Sequence, residues 1–365
     1  MIPLRIRVEG AQGDAPFIVR LKNVEVDKGA VIGPSDAILM ETEDKIVSYD
    51  STRGKLRFPG FQATDLSGDV LLVDPSRSIA HRLVRASSPH NTFLITERCD
   101  QLCMMCSQPP KPRHVDLFSA FQQAALLAPR GMTIGISGGE PTLYKEELFQ
   151  LVRRSLAARP DLRFHILTNA QHFDESDCKF LASLPSDKVL WGIPIYASGP
   201  ALHDEIVGKP GAFDCLMNSF ALLARCGATI ELRTVLMSNN VTALEPLAGY
   251  IASHLPFISV WAIMQLENIG FARKNWEHLF FDNSVYFTPV AEAIDAALGR
   301  GLAVALYNFP LCTVPPPYRA FTNASISDWK RRYPTTCDGC KLRNSCGGFF
   351  EWYNDKKGFA GVHAI

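Results

Sequence analysis

Over the first ninety residues apolar and polar positions alternate in short stretches, such as Leu-Arg-Ile-Arg-Val at 4–8 and Phe-Ile-Val-Arg-Leu at 17–21, with Gly and Asp between them. A period of two places successive side chains on opposite faces of a strand, so residues 1–90 are expected to form a small β-rich domain. From Phe93 the pattern changes. Short apolar runs at 93–96, 133–137, 164–168, 189–195, 230–236 and 258–263 alternate with stretches of helical period, which predicts six parallel βα units. One helix shows Leu148, Leu151, Val152 and Leu156 on one face and stops before Pro160; another carries Phe213, Leu216, Met217, Phe220 and Leu223 and ends at Cys226-Gly227. Beyond Gly301 one further strand is predicted over 303–307, followed by a Pro-rich loop at 314–318 and a cysteine-rich tail. The chain therefore reads as α/β, with units at 1–90, 91–300 and 301–365.

Charge narrows the partners. Lys plus Arg and Asp plus Glu both number 37, so no net field recruits a polyanion, and a nucleic acid is not the expected partner. No apolar run approaches the roughly 18 residues of a membrane span, and residues 1–10 alternate charged with apolar positions, unlike a secretory signal. A cytoplasmic chain without a membrane partner is expected. Its ten cysteines then point to metal or redox chemistry rather than a disulfide framework. Cys178, Cys215 and Cys226 fall within helical patterns and read as core residues.

Three of the others lie close together. Thr96-Glu-Arg-Cys99-Asp-Gln-Leu-Cys103-Met-Met-Cys106 leaves the first predicted strand of the βα region with three thiols in eight residues. A structural zinc ion needs four ligands, and a [4Fe-4S] cube has four irons to satisfy, so three thiols leave one position open. A zinc site completed by a distant His or Cys, or thiols that pack as small hydrophobes, are the competing readings. One βα unit later, Gly138-Gly139-Glu140-Pro141 ends the next predicted strand. Two glycines let the backbone approach a ligand, and carbonyls or Glu140 can accept from an ammonium group. The plainer alternative is a strand-to-helix turn with Glu140 in the first helical turn.

The C-x3-C-x2-C loop and the Gly-Gly-Glu-Pro turn, in this order, resemble the radical S-adenosylmethionine (SAM) superfamily. The resemblance implies a partial (β/α)6 barrel of TIM type over 91–300 with its site at the C-terminal strand ends. It also implies a [4Fe-4S] cluster on Cys99, Cys103 and Cys106 that chelates SAM and, when reduced, cleaves it to methionine and a 5′-deoxyadenosyl radical. Met105 stands where an aromatic residue is frequent and would contact adenine through its backbone. Asn169 in Leu167-Thr-Asn-Ala is similar to a family ligand contact, Ser198 is a ribose candidate and Leu266 an adenine contact. Arg233, a charge inside a strand, reads either as a partner of the SAM carboxylate or as an ion pair with Glu231 or Glu267. His203 is either a catalytic base or a capping or surface histidine.

In the tail, Cys337, Cys340 and Cys346 with Cys312 supply four thiols, enough to close a site. Zinc and iron–sulfur are evenly matched on chemistry alone. The tail resembles the twitch and SPASM extensions of radical SAM peptide maturases, which implies a second, auxiliary [4Fe-4S] cluster. The strings at 103–111, 136–141, 326–330 and 346–350 resemble the maturase of the His-Xaa-Ser repeat peptide system. That resemblance implies a ribosomally made precursor peptide as substrate, an electron donor such as flavodoxin or ferredoxin, and a partner maturase. Radical chemistry on a nucleoside, tRNA or small metabolite is the competing enzymatic reading, and a two-cluster electron-transfer protein the non-enzymatic one. Residues 1–90 would present the peptide by offering strand edges, or else cover the barrel rim.

Overall fold

The structure is a computed structural model that describes residues 2–23, 33–43 and 45–365. The N-terminal strands are β1 (Arg5–Arg7), β2 (Phe17–Lys22), β3 (Asp36–Glu43), β4 (Ile46–Ser51), β5 (Gly54–Pro59), β6 (Val70–Asp74) and β7 (Ile79–Val84). They form one sheet in the order β1-β7-β6-β2-β3-β4-β5, antiparallel apart from β2 beside β3. The two ends of this order meet. Just after β1, Glu9 and Arg57 exchange backbone hydrogen bonds of 2.9 Å, and the Gln12 amide donates to the Arg53 carbonyl at 2.8 Å. Gly10 makes the closure possible: at φ +78° a Cβ there would lie 2.2 Å from the Lys55 carbonyl oxygen. Alternate residues fill the inside, where Val47, Tyr49, Leu56, Phe58 and Leu71 are fully buried with Leu66 of the short helix α1 (Ala63–Leu66). Residues 9–12, just after β1, thus bridge to β5 and the turn before it, which satisfies part of that edge.

The second sheet is wholly parallel and follows chain order: β8 (Asn91–Leu94), β9 (Thr133–Ser137), β10 (Arg163–Leu167), β11 (Val189–Pro194), β12 (Thr229–Leu236), β13 (Val260–Gln265), β14 (Val304–Tyr307) and β15 (Thr322–Asn323). It is a curled α/β half-barrel. Eight strands stand where six repeats and one further strand were expected. The two-residue β15 is too short to show a period, and the ladder alone reveals it. Helices α2 (Phe118–Leu127), α3 (Lys145–Ala158), α4 (Cys178–Ser183), α5 (Pro200–Val207), α6 (Ala212–Arg225), α7 (Leu244–His254), α8 (Gly270–Lys274), α9 (Trp276–Leu279) and α10 (Thr288–Leu298) lie between the strands.

One face of this sheet is uniformly apolar: Ile134, Ile136, Phe164, Ile166, Trp191, Ile193, Ile230, Leu232, Trp261 and Ile263 are buried in one core with Leu148, Leu151 and Val152 of α3 and Leu216, Phe220 and Leu223 of α6. The alternate positions are of another kind and include His165, Gly192, Glu231, Arg233 and Tyr307. A last antiparallel pair, β16 (Arg331–Arg332) and β17 (Phe349–Phe350), belongs to a tail built mainly of tight turns. Buried Arg85, just after β7, ties the N-terminal region to this tail: its Nη1 lies 2.7 Å from Asp328 Oδ1, which also accepts from Ser88 Oγ at 3.0 Å.

Candidate functional site

The ladder between β8 and β9 runs on past the strand ends and delivers the first cysteine loop to the C-terminal edge of the sheet. Ile95 donates to the Ser137 carbonyl at 2.9 Å, Gly139 to Thr96 at 2.8 Å and Glu140 to Arg98 at 2.7 Å. The two glycines are required by this contact. A Cβ on Gly138 would sit 2.6 Å from the Thr96 carbonyl oxygen, and one on Gly139 would sit 2.1 Å from that of Arg98 and 3.0 Å from Cys99 Cβ. They therefore seat the cysteine loop as well as leaving backbone exposed. From the far side Leu102 and Met104 donate to Val207 and Ile206 at the end of α5, both at 3.0 Å, and the Cys106 carbonyl accepts from Phe271 of α8 at 2.8 Å.

Cys99, Cys103 and Cys106 are half-buried, and all three lack disulfide partners. Burial pushes the Cys99 thiol up to about 11 and the Cys103 thiol up to about 12, with the charge of neighbouring thiols adding to the rise, and burial also raises Cys106. Thiols so placed ionise only when a cation compensates them, which is the chemistry of a metal-cluster donor set. Among the described residues no three His, Cys, Asp or Glu side chains are gathered tightly enough to hold a single metal ion. Thiolates that each bind a different iron of a cluster need not be so close.

Glu140 is fully buried. Its Oε1 accepts from the Thr142 amide (2.8 Å), Thr142 Oγ1 (2.6 Å) and Thr168 Oγ1 (2.6 Å), and its Oε2 from the Asn169 amide (2.6 Å). Burial raises its pKa, against the pull of these four donors. The carboxylate so clasps the ends of β9 and β10 together, with Pro141 buried behind it. Asn169 reaches back with Nδ2 to Asp100 Oδ1 at 2.9 Å, and Asp100 also meets Lys209 and, at 3.3 Å, His172. Burial opposes its charge, yet the contacts of His172, Lys209 and Asn169 outweigh that and hold the carboxyl far below its usual range. Met105 and Leu266, far apart in sequence, are buried in one cluster with Tyr196, Ile206 and Trp276, against which Cys103 also packs.

Residues 93–245 match the family model described as the Radical SAM superfamily. The match takes in less than half of the chain and likens residues 93–245 to a radical SAM domain, which in that superfamily implies SAM and a [4Fe-4S] cluster. Among solved structures, the chain is similar to SuiB of Streptococcus suis bound to S-adenosylmethionine, with a TM-score of 0.50, 16% identity, and 60% of this chain and 51% of that one covered. SuiB bound to the precursor peptide SuiA gives a TM-score of 0.50 at 16% identity, covering 61% and 49%. Native anSMEcpe with bound AdoMet and Cp18Cys peptide gives 0.47 at 17% identity, covering 59% and 62%. At these identities the likeness is one of fold, and the chain spans about half the length of the SuiB structures. Among curated proteins none matches it.

Of the other expected positions, Ser198 follows β11, Arg233 lies in β12 and His203 in α5. Ser198 is half-buried in the turn between β11 and α5. Arg233 forms an ion pair with Glu231, and its guanidinium lies over the Tyr307 ring, 5.6 Å from the centroid. Glu231 also accepts from Tyr307 Oη at 2.8 Å and meets His165 Nε2 at 3.3 Å. Burial works against its ionisation, but His165, Arg233 and Tyr307 bring its pKa down to about 2. Glu267 pairs instead with Lys330 at 3.7 Å. His203 is buried, with Nδ1 facing the Tyr196 amide at 3.3 Å, and burial lowers its pKa to about 4; it braces the β11 end.

In the tail, Cys312, Cys337, Cys340 and Cys346 converge. Burial raises Cys337 to about 11, and the charges of Cys312, Cys346 and Cys340 all add to it. Cys346 Sγ accepts from the amides of Leu311 and Gly348, each at 3.4 Å, the kind of contact that tunes a ligating sulfur. Between this tail and the ends of β13 and β14 lies a small cleft lined by Leu266, Asn268, Trp276, Asn308 and Phe349 among others. Sequence reasoning missed Asp100, Tyr196 and Tyr307 as members of these networks and met Glu231 only as one of two ion-pair partners for Arg233. Asp100 is signalled only by its place between two candidate ligands; the partners His165 and Tyr307 of Glu231 come from β10 and β14 and leave no local mark.

Proposed function

We propose that this chain is a radical SAM enzyme that modifies a ribosomally made peptide. The observation that carries it is the cysteine loop itself, three half-buried thiols fixed at the C-terminal ends of parallel strands by hydrogen bonds with the β9 end, α5 and α8. In this reading Cys99, Cys103 and Cys106 hold the [4Fe-4S] cluster of SAM cleavage, and Cys312, Cys337, Cys340 and Cys346 an auxiliary [4Fe-4S] cluster. When bound and reduced, the first cluster supplies reductive cleavage of SAM to methionine and a 5′-deoxyadenosyl radical.

The protein's own groups then have distinct tasks. Backbone carbonyls around Gly138 and Gly139 are free to accept from the methionyl ammonium, whereas Glu140 spends its oxygens on Thr142, Thr168 and Asn169 and acts by holding them. Asn169, steadied by Asp100, and Ser198 offer polar contacts to SAM; Met105 and Leu266 offer an apolar wall to adenine. Arg233 keeps a guanidinium on the concave side of the sheet for a carboxylate. The division into 1–90, 91–300 and 301–365 belongs to the same reading, although β14 and β15 are built into the sheet by residues after 300. The peptide half is supported by the four-thiol tail and by the fold shared with SuiB, whose structure holds its precursor peptide. An electron donor such as flavodoxin or ferredoxin, and a partner maturase, complete the scheme.

Anaerobic reconstitution tests it. About eight irons per chain are expected, falling to about four when Cys99, Cys103 and Cys106 are replaced by Ala. Reduced enzyme should form 5′-deoxyadenosine, Cys103→Ala should abolish this, and Cys346→Ala should only weaken it. A mass change in a His-Xaa-Ser repeat peptide, dependent on SAM, would establish the substrate. Cleavage of SAM with no peptide modified would leave the superfamily chemistry and remove the peptide.

A further inference from the structure

Three cysteines lie outside both thiol groups, and two of them meet. Cys178 opens α4 and Cys226 closes α6, 48 residues apart in sequence, yet their sulfurs are 2.7 Å from each other. That is closer than two non-bonded sulfurs rest and longer than the roughly 2.05 Å of a disulfide. Cys215, the third, is instead directed to the Gln171 carbonyl at 3.4 Å. The corner that holds the pair is otherwise tied by Arg225, which reaches both carboxylate oxygens of Glu175 at 2.6 Å across exposed surface. Cys178 is only half-buried, so a small oxidant can reach one of the two sulfurs.

We propose that Cys178 and Cys226 are an oxidisable dithiol, a modification site that closes to a disulfide and staples α4 to α6. With a small-molecule disulfide as oxidant, one thiolate attacks it to give a mixed disulfide and release one thiol. The second cysteine then attacks the mixed disulfide, forming the protein S–S bond and releasing the second thiol. Two electrons and two protons pass from the protein to the small molecule, and nothing else is consumed. Neither cysteine belongs to the proposed cluster ligands.

The test uses the reconstituted full chain under anaerobic conditions, poised in buffers of oxidised and reduced glutathione, then alkylated and mapped by mass spectrometry. The expected result is a 178–226 cross-linked peptide 2 Da lighter than its two thiol peptides, formed while iron content stays unchanged. The oxidised protein should also melt higher, on the order of 5 °C, because a loop of this length is closed in the unfolded chain. Cys178→Ser and Cys226→Ser, each nearly isosteric, should abolish both cross-link and shift without changing iron content. Separate alkylation of Cys178 and Cys226 in oxidising buffer, stable mixed disulfides at either, or cross-linking to other cysteines would overturn the proposal. The wild-type mapping decides this even if a variant fails to fold.

Discussion

The two sheets of this molecule use alternation in opposite ways. In the N-terminal sheet the strands close on themselves through residues 9–12 and β5, and Tyr49, Leu56 and Phe58 fill the interior completely. In the parallel sheet the apolar face is covered by helices, and the other face carries Glu231, Arg233, His165 and Tyr307, with both cysteine groups at its C-terminal ends. A closed sheet with an apolar inside has its stability tied up in packing and offers no place for a reactant. An open curl whose inner face is charged has polar groups in reach of one, and it carries the burial cost of those groups.

Substitutions can sharpen that contrast. The largest effect is expected from Phe58→Ala, which empties a fully buried position of the closed sheet and should cost about 3–5 kcal/mol in denaturant unfolding. 5′-Deoxyadenosine formation by the folded fraction should persist; its loss would show that the two sheets are functionally inseparable. Next comes pH. Burial lowers His203 to about 4, below its unfolded value near 6.5, so the unfolded chain binds the extra proton between these values. Stability is therefore expected to be complete above about pH 6.5 and to fall by about 3 kcal/mol as pH drops toward 4, and His203→Gln should flatten this part of the profile.

Glu231→Gln should cost less, about 2 kcal/mol, because it keeps the shape but weakens the contacts with Arg233, His165 and Tyr307. The penalty should shrink when Arg233→Met is combined with it, and strict additivity would dissolve the network. The smallest change is expected at Tyr49, whose buried hydroxyl has no hydrogen-bond partner among the described residues. Tyr49→Phe should be neutral or stabilising by up to about 1 kcal/mol, and a marked loss in thermal unfolding would mean that the hydroxyl is satisfied after all.

What the sequence determined by itself was local or periodic. Runs of alternating residues fixed the β character of the first ninety positions, apolar runs between helical stretches fixed the parallel order, and the spacing of Cys99, Cys103 and Cys106 fixed three thiols on one loop. What the tertiary structure decided was everything that joins distant segments. The bridge from residues 9–12 to β5 depends on Gly10 lying against Lys55, and Glu140 proves to be a clasp because Thr168 and Asn169 arrive from another strand. Arg233 faces Glu231 rather than Glu267 because they are two apart on one strand and share its concave face, while Glu267 turns to Lys330 of the tail. Cys178 and Cys226, each read as a core residue within its own helix, become neighbours only when α4 and α6 pack together. A periodic pattern states which face of an element is buried; which partner waits there is set by packing, and packing has no local signature in the chain.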